Sequence, residues 1–99
     1  MDENAGVIEI RFVGGPLHGK RTLMAHPEFK MVLGSPGEVI QYCRRMIEVA
    51  EIGGRRREIA TYAPYGMPEE KFERLVIKAA KLDSGTTRRL SETRIRTGE

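Results

Sequence analysis

Hydrophobic and polar residues alternate along the first third of the chain, which is the pattern of β-strands with one buried side. The clearest example is Val7–Val13, where an apolar residue recurs at every second position between charged ones. The same alternation is weaker in Lys20–His26 and in Phe29–Leu33. We therefore predict three strands in this part of the chain.

Two glycines and a proline end the first strand, and another glycine follows closely. Glycine adopts positive φ without a Cβ penalty, and proline presets φ at a turn corner. Glycine-rich turns also bind anions through their amides, but this one lacks the GK[ST] ending of a phosphate-binding loop. We therefore predict a structural turn that reverses the chain, formed by Gly14, Gly15, Pro16 and Gly19.

The segment Glu38–Ile52 fits two patterns. Its apolar residues recur at helical spacing, but they also alternate at strand spacing. The two glycines that follow it, with strand-forming residues in Arg57–Tyr62, are typical of a two-residue hairpin loop. Because a hairpin needs a strand on each side of its loop, the sequence favours a strand over Met46–Ile52 and leaves Val39–Arg45 open between helix and strand.

The one clear helix signal lies near the C-terminus. Pro68 suits a first helical position, and the two glutamates after it suit the positive end of the helix dipole. Apolar residues then recur at i, i+3, i+4 and i+7 across Phe72–Ala79. Ser84 and Gly85 are expected to close this helix.

These elements predict an α+β fold, with a small antiparallel sheet of four or five strands and one C-terminal helix packed on one face. Ninety-nine residues are enough for one modest core. We therefore expect a single domain over residues 1–83 and a polar, basic C-terminal tail over residues 84–99. The first six residues are expected to be frayed.

Composition predicts a folded, water-soluble domain, and the single cysteine and the lack of a signal or membrane segment lead us to expect a protein of the cytoplasm. Hydrophobic residues make up 39% of the chain and charged residues 31%, which is typical of a water-soluble domain. Cys43 is the single cysteine, so no disulfide within the chain is expected. No apolar run approaches the roughly 20 residues that a membrane helix needs, and the acidic N-terminus lacks the basic start of a secretory signal. We expect no membrane partner.

The turn Gly14–Gly19, with the sequence GGPLHG, resembles the GGPLDG-type turn of small uncharacterised proteins that are common in phages and in some bacteria. In those proteins a tyrosine-arginine strand and a further strand ending in tyrosine follow the turn. Tyr42–Arg45 and Ile59–Tyr62 correspond to them here, so the resemblance covers the first two thirds of the chain. His18 stands where an aspartate is usual. The resemblance implies a strand after Pro36 and a phage or mobile-element origin, but no activity, because the family has none established.

Few residues are suited to catalysis or to metal binding. His18, His26 and Cys43 are too few and too widely spaced for a metal site, which needs three or four ligands. Cys43 also lacks a neighbouring histidine that would act as its base. The glutamates of the predicted hairpin are explained by pairing with arginines on an exposed sheet. We therefore predict a protein that is not an enzyme, with no cofactor and no small-molecule ligand.

The arginines form the most distinctive charge pattern. The formal net charge is only +3, but arginines cluster around the predicted hairpin and in the tail, with tyrosines nearby. Cations interleaved with aromatic rings on a sheet can hold phosphates and stack bases. The candidate nucleic-acid-binding residues are Arg44, Arg45, Arg55, Arg56, Arg57, Tyr62, Arg88 and Arg89.

Two functions follow from these observations. The first is an interaction module that binds a protein partner or self-associates through a sheet edge, which suits a small core without a catalytic constellation. The alternative is nucleic-acid binding by the arginine-rich hairpin and the basic tail. A sheet surface on which arginines and glutamates neutralise one another would explain the same residues without any ligand.

Overall fold

The structure is a computed structural model, which describes residues 7–82 and 87–95. The expected frayed N-terminus, the expected helix end at Ser84 and Gly85 and the last residues of the tail lie outside the described residues. Along the chain the elements are β1 (Ile8–Phe12), β2 (Arg21–Met24), β3 (Lys30–Ser35), β4 (Glu38–Ile52), β5 (Arg55–Pro64), α1 (Glu69–Leu82) and β6 (Thr87–Arg94).

The strands form one mixed sheet that curls on itself. Their order is β2-β1-β5-β4-β3, and β6 also pairs with β4. β3 pairs with β4 from Glu38 to Cys43, whereas β6 pairs with it from Met46 to Ile52, so β3 and β6 follow one another along the same side of β4. The predicted α+β class is confirmed, and the described residues form six strands instead of four or five.

The sheet is not purely antiparallel, which corrects the prediction from the sequence. β1 and β5 are parallel, with Glu9 opposite Ile59 and Phe12 opposite Tyr62. β1 pairs with β2 on one side, and its other side is filled by β5, which returns from β4 in the same direction as β1. Alternation of apolar residues defines which side of a strand is buried, but it does not define the direction of the neighbouring strand.

β4 is a strand over its whole length, so Val39–Arg45, which the sequence left open, is not helical. Its ladder with β5 shifts register between Arg44 and Met46, which places a bulge at Arg45. A bulge adds one residue to one strand and shifts the alternation of side chains beyond it. This shift explains why the apolar residues of β4 also fit a helical spacing.

The buried side chains form two clusters. The first consists of Ile10, Phe12, Tyr42, Ala60 and Tyr62. The second lies between the sheet and α1, where Phe72 and Val76 pack against Val13, Met46 and Ala63. The helix is therefore packed beside the bulge of β4, well away from the β4–β5 loop.

Part of the predicted polar tail contributes to the sheet. Thr87–Arg94 forms β6 and pairs with the second half of β4. Beyond it, the Ile95 amide donates to the carbonyl of Arg45 at 3.0 Å. Backbone hydrogen bonds do not require apolar side chains, so a polar segment can complete an edge of a sheet.

Candidate nucleic-acid interface

The Gly14–Gly19 turn is held closed by a buried tyrosine. The Tyr42 hydroxyl accepts a hydrogen bond from the Leu17 amide and donates one to the Gly14 carbonyl, both at 2.9 Å. The Gly14 amide donates to Nδ1 of His18 at 2.7 Å, so this nitrogen acts as an acceptor within the turn. Because these amides donate to internal acceptors, the turn has the geometry of a structural element and not of an anion cradle.

Gly15 has no room for a side chain in this turn. Gly14 and Gly15 have φ values of 82° and 69°. A Cβ on Gly15 would lie 2.6 Å from the Tyr42 hydroxyl and 2.8 Å from Cδ1 of Ile40. Gly19 has a φ of 83° but nothing within 4 Å of its Cβ position, so only its backbone conformation favours glycine.

Arg44 and Tyr62 fasten the loop between β2 and β3. The Tyr62 hydroxyl is buried and donates to the carbonyl of Glu28. The Arg44 guanidinium donates to the carbonyl of Pro27 at 2.7 Å and to the Tyr62 hydroxyl at 3.2 Å. Both side chains therefore hold this loop in place through hydrogen bonds.

Arg45 at the bulge is also internal. Its side chain is 4% exposed and donates to the Met67 carbonyl and to Oε2 of Glu69, both at 2.8 Å. Its guanidinium carbon lies 4.9 Å from the ring centre of Phe72, and that of Arg94 lies 5.5 Å from the same ring. The two arginines therefore connect β4 and β6 to the first turn of α1 through cation–π contacts and ion pairs.

Arg94 is surrounded by carboxylates. Its Nε donates to Glu92 at 2.8 Å, and its Nη1 lies 3.2 Å from Glu73 and 3.8 Å from Glu69. The hydrogen bond with Glu92 is the main cause of a raised pKa for Arg94. This part of the surface is therefore neutralised internally and offers no excess charge to a ligand.

The exposed arginines of the candidate set lie at the far end of the β4–β5 hairpin. Arg55, Arg56 and Arg57 are all exposed. Arg57 lies 3.5 Å from Glu9, but that carboxylate is bonded more closely to Arg11, at 2.7 Å. Among the described residues, no carboxylate lies within ion-pair distance of Arg55 or Arg56.

β6 adds two arginine positions to the same end of the sheet. The register places Arg88 opposite Glu51, whose other neighbour is Arg56, and it places Arg89 opposite Ala50. Adjacent strands lie about 4.8 Å apart, so the Cα positions of Arg56 and Arg88 are roughly 10 Å apart across three strands. Pairing of β6 with β4 therefore brings tail and hairpin arginines together.

We call residues 49–58 and 87–91 the arginine end of the sheet. It contains five arginines and two glutamates, an excess of three positive charges, and the whole chain has a formal net charge of +3. The rest of the chain is therefore balanced. Two carboxylates adjoin the arginine end, Glu48 on β4 and Glu92 on β6. Glu48 is buried, and Glu92 is bonded to Arg94. The formal charge excess of the chain is thus concentrated at one end of the sheet.

The candidate residues divide into two sets. Arg45 precedes Ile52 by seven positions along β4, which corresponds to about 23 Å of strand. Arg44 and Arg45 are near the hairpin loop in sequence but not in space. The arginine end contains Arg55, Arg56, Arg57, Arg88 and Arg89, whereas Arg44, Arg45 and Tyr62 lie outside it.

The opposite end of the β4–β5 hairpin, which we call the apolar end, carries three exposed apolar or aromatic side chains. Val32 on β3 is 67% exposed, Val39 on β4 is 61% exposed, and Tyr65 after β5 is 52% exposed. They lie around Gln41, whose Cα pairs with that of Val32 and whose carbonyl accepts from the Tyr65 amide at 2.8 Å. Nζ of Lys30 lies 5.0 Å from the Tyr65 ring centre. This composition suits a protein contact better than a phosphate site.

Metal and membrane features can be judged for residues 7–82 and 87–95. Within them, no group of three or more histidine, cysteine, aspartate or glutamate side chains is placed to hold a metal ion. Cys43 is buried. In the same part of the chain, no helix has both the length and the apolar character needed to cross a membrane.

Comparison of the chain with protein-family models, with curated proteins and with solved structures finds no match. The resemblance of its turn to the GGPLDG type therefore stays a prediction. The sheet thus presents two distinct surfaces, one basic and one apolar.

Proposed function

We propose that this chain is a small, non-enzymatic module that binds nucleic acid by its phosphate backbone at the arginine end. The observation that carries the proposal is the concentration of the positive charge excess in residues 49–58 and 87–91. Guanidinium groups suit this ligand because their planar donors match phosphate oxygens in pairs. Neutralising a backbone also releases its condensed counterions, which favours binding.

Arg55 and Arg56 are the side chains on which the proposal chiefly depends. Both are exposed, and neither would have to break an ion pair with a described residue in order to contact phosphate. Their strand is paired with β4, which is flanked on its other side by β6. A three-stranded end holds its backbone more rigidly than an isolated hairpin, so less ordering is required on binding.

The test compares two double variants that lose the same charge. R55Q/R56Q removes two cations from the arginine end, and R74Q/K78Q removes two from exposed positions on α1. Affinity is measured by fluorescence anisotropy with a labelled duplex. Each lost phosphate contact lowers log K by about 0.9 at about 0.1 M salt, so we expect R55Q/R56Q to weaken binding by up to about 60-fold. R74Q/K78Q removes no phosphate contact and changes only the long-range electrostatic field of the protein, which salt screens. We therefore expect the affinity to fall by less than about threefold.

Two results would contradict the proposal. If both double variants weaken binding equally, only net charge matters and the arginine end has no special role. If R55Q/R56Q binds like the wild type, the arginine end is not the binding site. Because all four replaced side chains are exposed, circular dichroism and thermal melts should match the wild type and exclude unfolding as the cause.

A second candidate function, binding of a protein partner or self-association, is favoured by the apolar end. Val32 is exposed on β3, whose outer side carries no strand among the described residues, and such an edge is a template for pairing with another chain. Light scattering from about 1 to about 500 µM should then show a dimer by mass action, which V32K returns to the monomer. A mass of 11.2 kDa at every concentration would count against self-association.

A further inference from the structure

The arginine end carries charge but no aromatic surface. The chain has three phenylalanines, three tyrosines and no tryptophan, and all six aromatic residues are among those described. Phe29 and Tyr65 are exposed. The other four are buried in the two core clusters: Phe12, Tyr42, Tyr62 and Phe72.

The two exposed aromatic residues lie far from the arginine end. The Tyr65 amide donates to the carbonyl of Gln41, and the Phe29 carbonyl accepts from the amide of Arg44, both at 2.8 Å. Along β4, Arg44 and Gln41 precede Ile52 by eight and eleven residues, which is about 26 Å and about 36 Å of strand. Charge and aromatic surface therefore lie towards opposite ends of β4.

We infer that the arginine end recognises double-helical nucleic acid by the charge density of its backbone, without stacking on bases. The inference rests on the proposed function and names its substrate class. Proteins that hold single strands stack successive bases on aromatic side chains, and this contribution is missing at the arginine end. A duplex carries the higher density of phosphate charge, so it has the advantage when backbone contacts act alone.

The expected preference follows from the salt dependence of phosphate contacts. Each contact changes log K by about 0.9 per tenfold change in salt for a duplex and by about 0.7 for a single strand. With about four contacts at about 0.1 M salt, log K for the duplex exceeds log K for a single strand by about 0.8. The duplex therefore binds about sixfold more tightly than its separate strands. Base sequence has little effect, because phosphate contacts carry no sequence information.

The test titrates the full chain with four labelled probes at one salt concentration: a duplex, each of its strands, and a second duplex of unrelated sequence. We expect the two duplexes to agree within about twofold and to bind about sixfold more tightly than the strands. A strand that binds as tightly as the duplex, or duplexes that differ by more than about tenfold, would overturn the inference while leaving the proposed function standing. No binding to any probe at low salt would overturn both.

Tyr65→Ala and Phe29→Ala test stacking directly. Both residues are exposed and outside the two core clusters, so their replacement leaves the cores intact. We expect neither variant to change the affinity for the strands or for the duplexes. A loss of strand binding in either variant, with duplex binding unchanged, would show that bases stack at the apolar end and would overturn the inference.

Discussion

Replacing Tyr42 by phenylalanine removes one oxygen atom and tests how the Gly14–Gly19 turn is held. The side chain is fully buried, and its ring packs edge-on against Phe12 at 5.1 Å, a contact that phenylalanine retains. The hydroxyl makes two hydrogen bonds of 2.9 Å, one from the Leu17 amide and one to the Gly14 carbonyl. An unpaired amide costs about 1–3 kcal/mol, so we expect Y42F to lower the free energy of unfolding by about 2 kcal/mol.

Urea denaturation followed by circular dichroism measures this difference. The matched control is Y65F, which removes a hydroxyl from an exposed ring and should change the free energy of unfolding by less than about 0.5 kcal/mol. If Y42F unfolds at the same urea concentration as the wild type, the hydroxyl does not hold the turn, and the structural interpretation of the turn is refuted.

Ionisation of the same hydroxyl is expected to lower the stability of the fold at alkaline pH. Burial raises the pKa of Tyr42 above its ordinary value of 10.0, the Leu17 amide opposes this, and the charge of Glu38 adds to it. The unfolded chain therefore releases this proton at lower pH than the folded chain. The free energy of unfolding falls as the pH rises above about 10, and Y42F lacks this contribution to the slope. Equal slopes for Y42F and the wild type would contradict the assignment.

Three further predictions concern internal contacts, each measured by urea or thermal unfolding. G15A should lose about 2 kcal/mol more than G54A, because both glycines have positive φ but only a Cβ on Gly15 meets other atoms; equal losses would contradict this. R45K should lose about 1–3 kcal/mol, because lysine does not reproduce the two guanidinium hydrogen bonds of Arg45; an unchanged midpoint would refute their importance. H18N should melt above H18A, because the asparagine oxygen can replace Nδ1 as acceptor for the Gly14 amide; equal melting temperatures would exclude that role.

Local patterns were sufficient to predict most of the elements. The alternation in Val7–Val13 identifies β1, and Pro68 followed by glutamates identifies the start of α1 at Glu69. The two glycines after Ile52 form the predicted hairpin loop. Each of these signals depends on residues that are close in sequence, which is why periodicity and turn chemistry detect them.

Pairings between distant segments could not be predicted in the same way. The parallel contact of β1 with β5 depends on the path of the intervening chain, and the bulge at Arg45 disrupts the alternation by which β4 would be recognised. β6 is nearly devoid of apolar residues and is held by backbone hydrogen bonds, which leave no hydrophobic pattern in the sequence.

The arginines of the candidate site were likewise predictable only where they depend on local sequence. Clustering in sequence groups Arg55, Arg56 and Arg57, which are consecutive on one exposed strand end. It also groups Arg44 and Arg45 with them, although a long strand separates the two sets. Arg94 is not among the candidates, yet it closes an internal cluster with Arg45 and Phe72. Whether an arginine is internal or exposed depends on carbonyls, carboxylates and rings brought to it by other elements.

The salt dependence of duplex binding by the full chain measures how many phosphates the arginine end contacts. The five arginines of the arginine end set the upper limit of phosphate contacts, so we expect log K to fall with log salt at a slope between about −2 and −4.5. In R55Q/R56Q the slope should become shallower by about 1.8. A slope near zero, or one that is unchanged in R55Q/R56Q, would contradict the account.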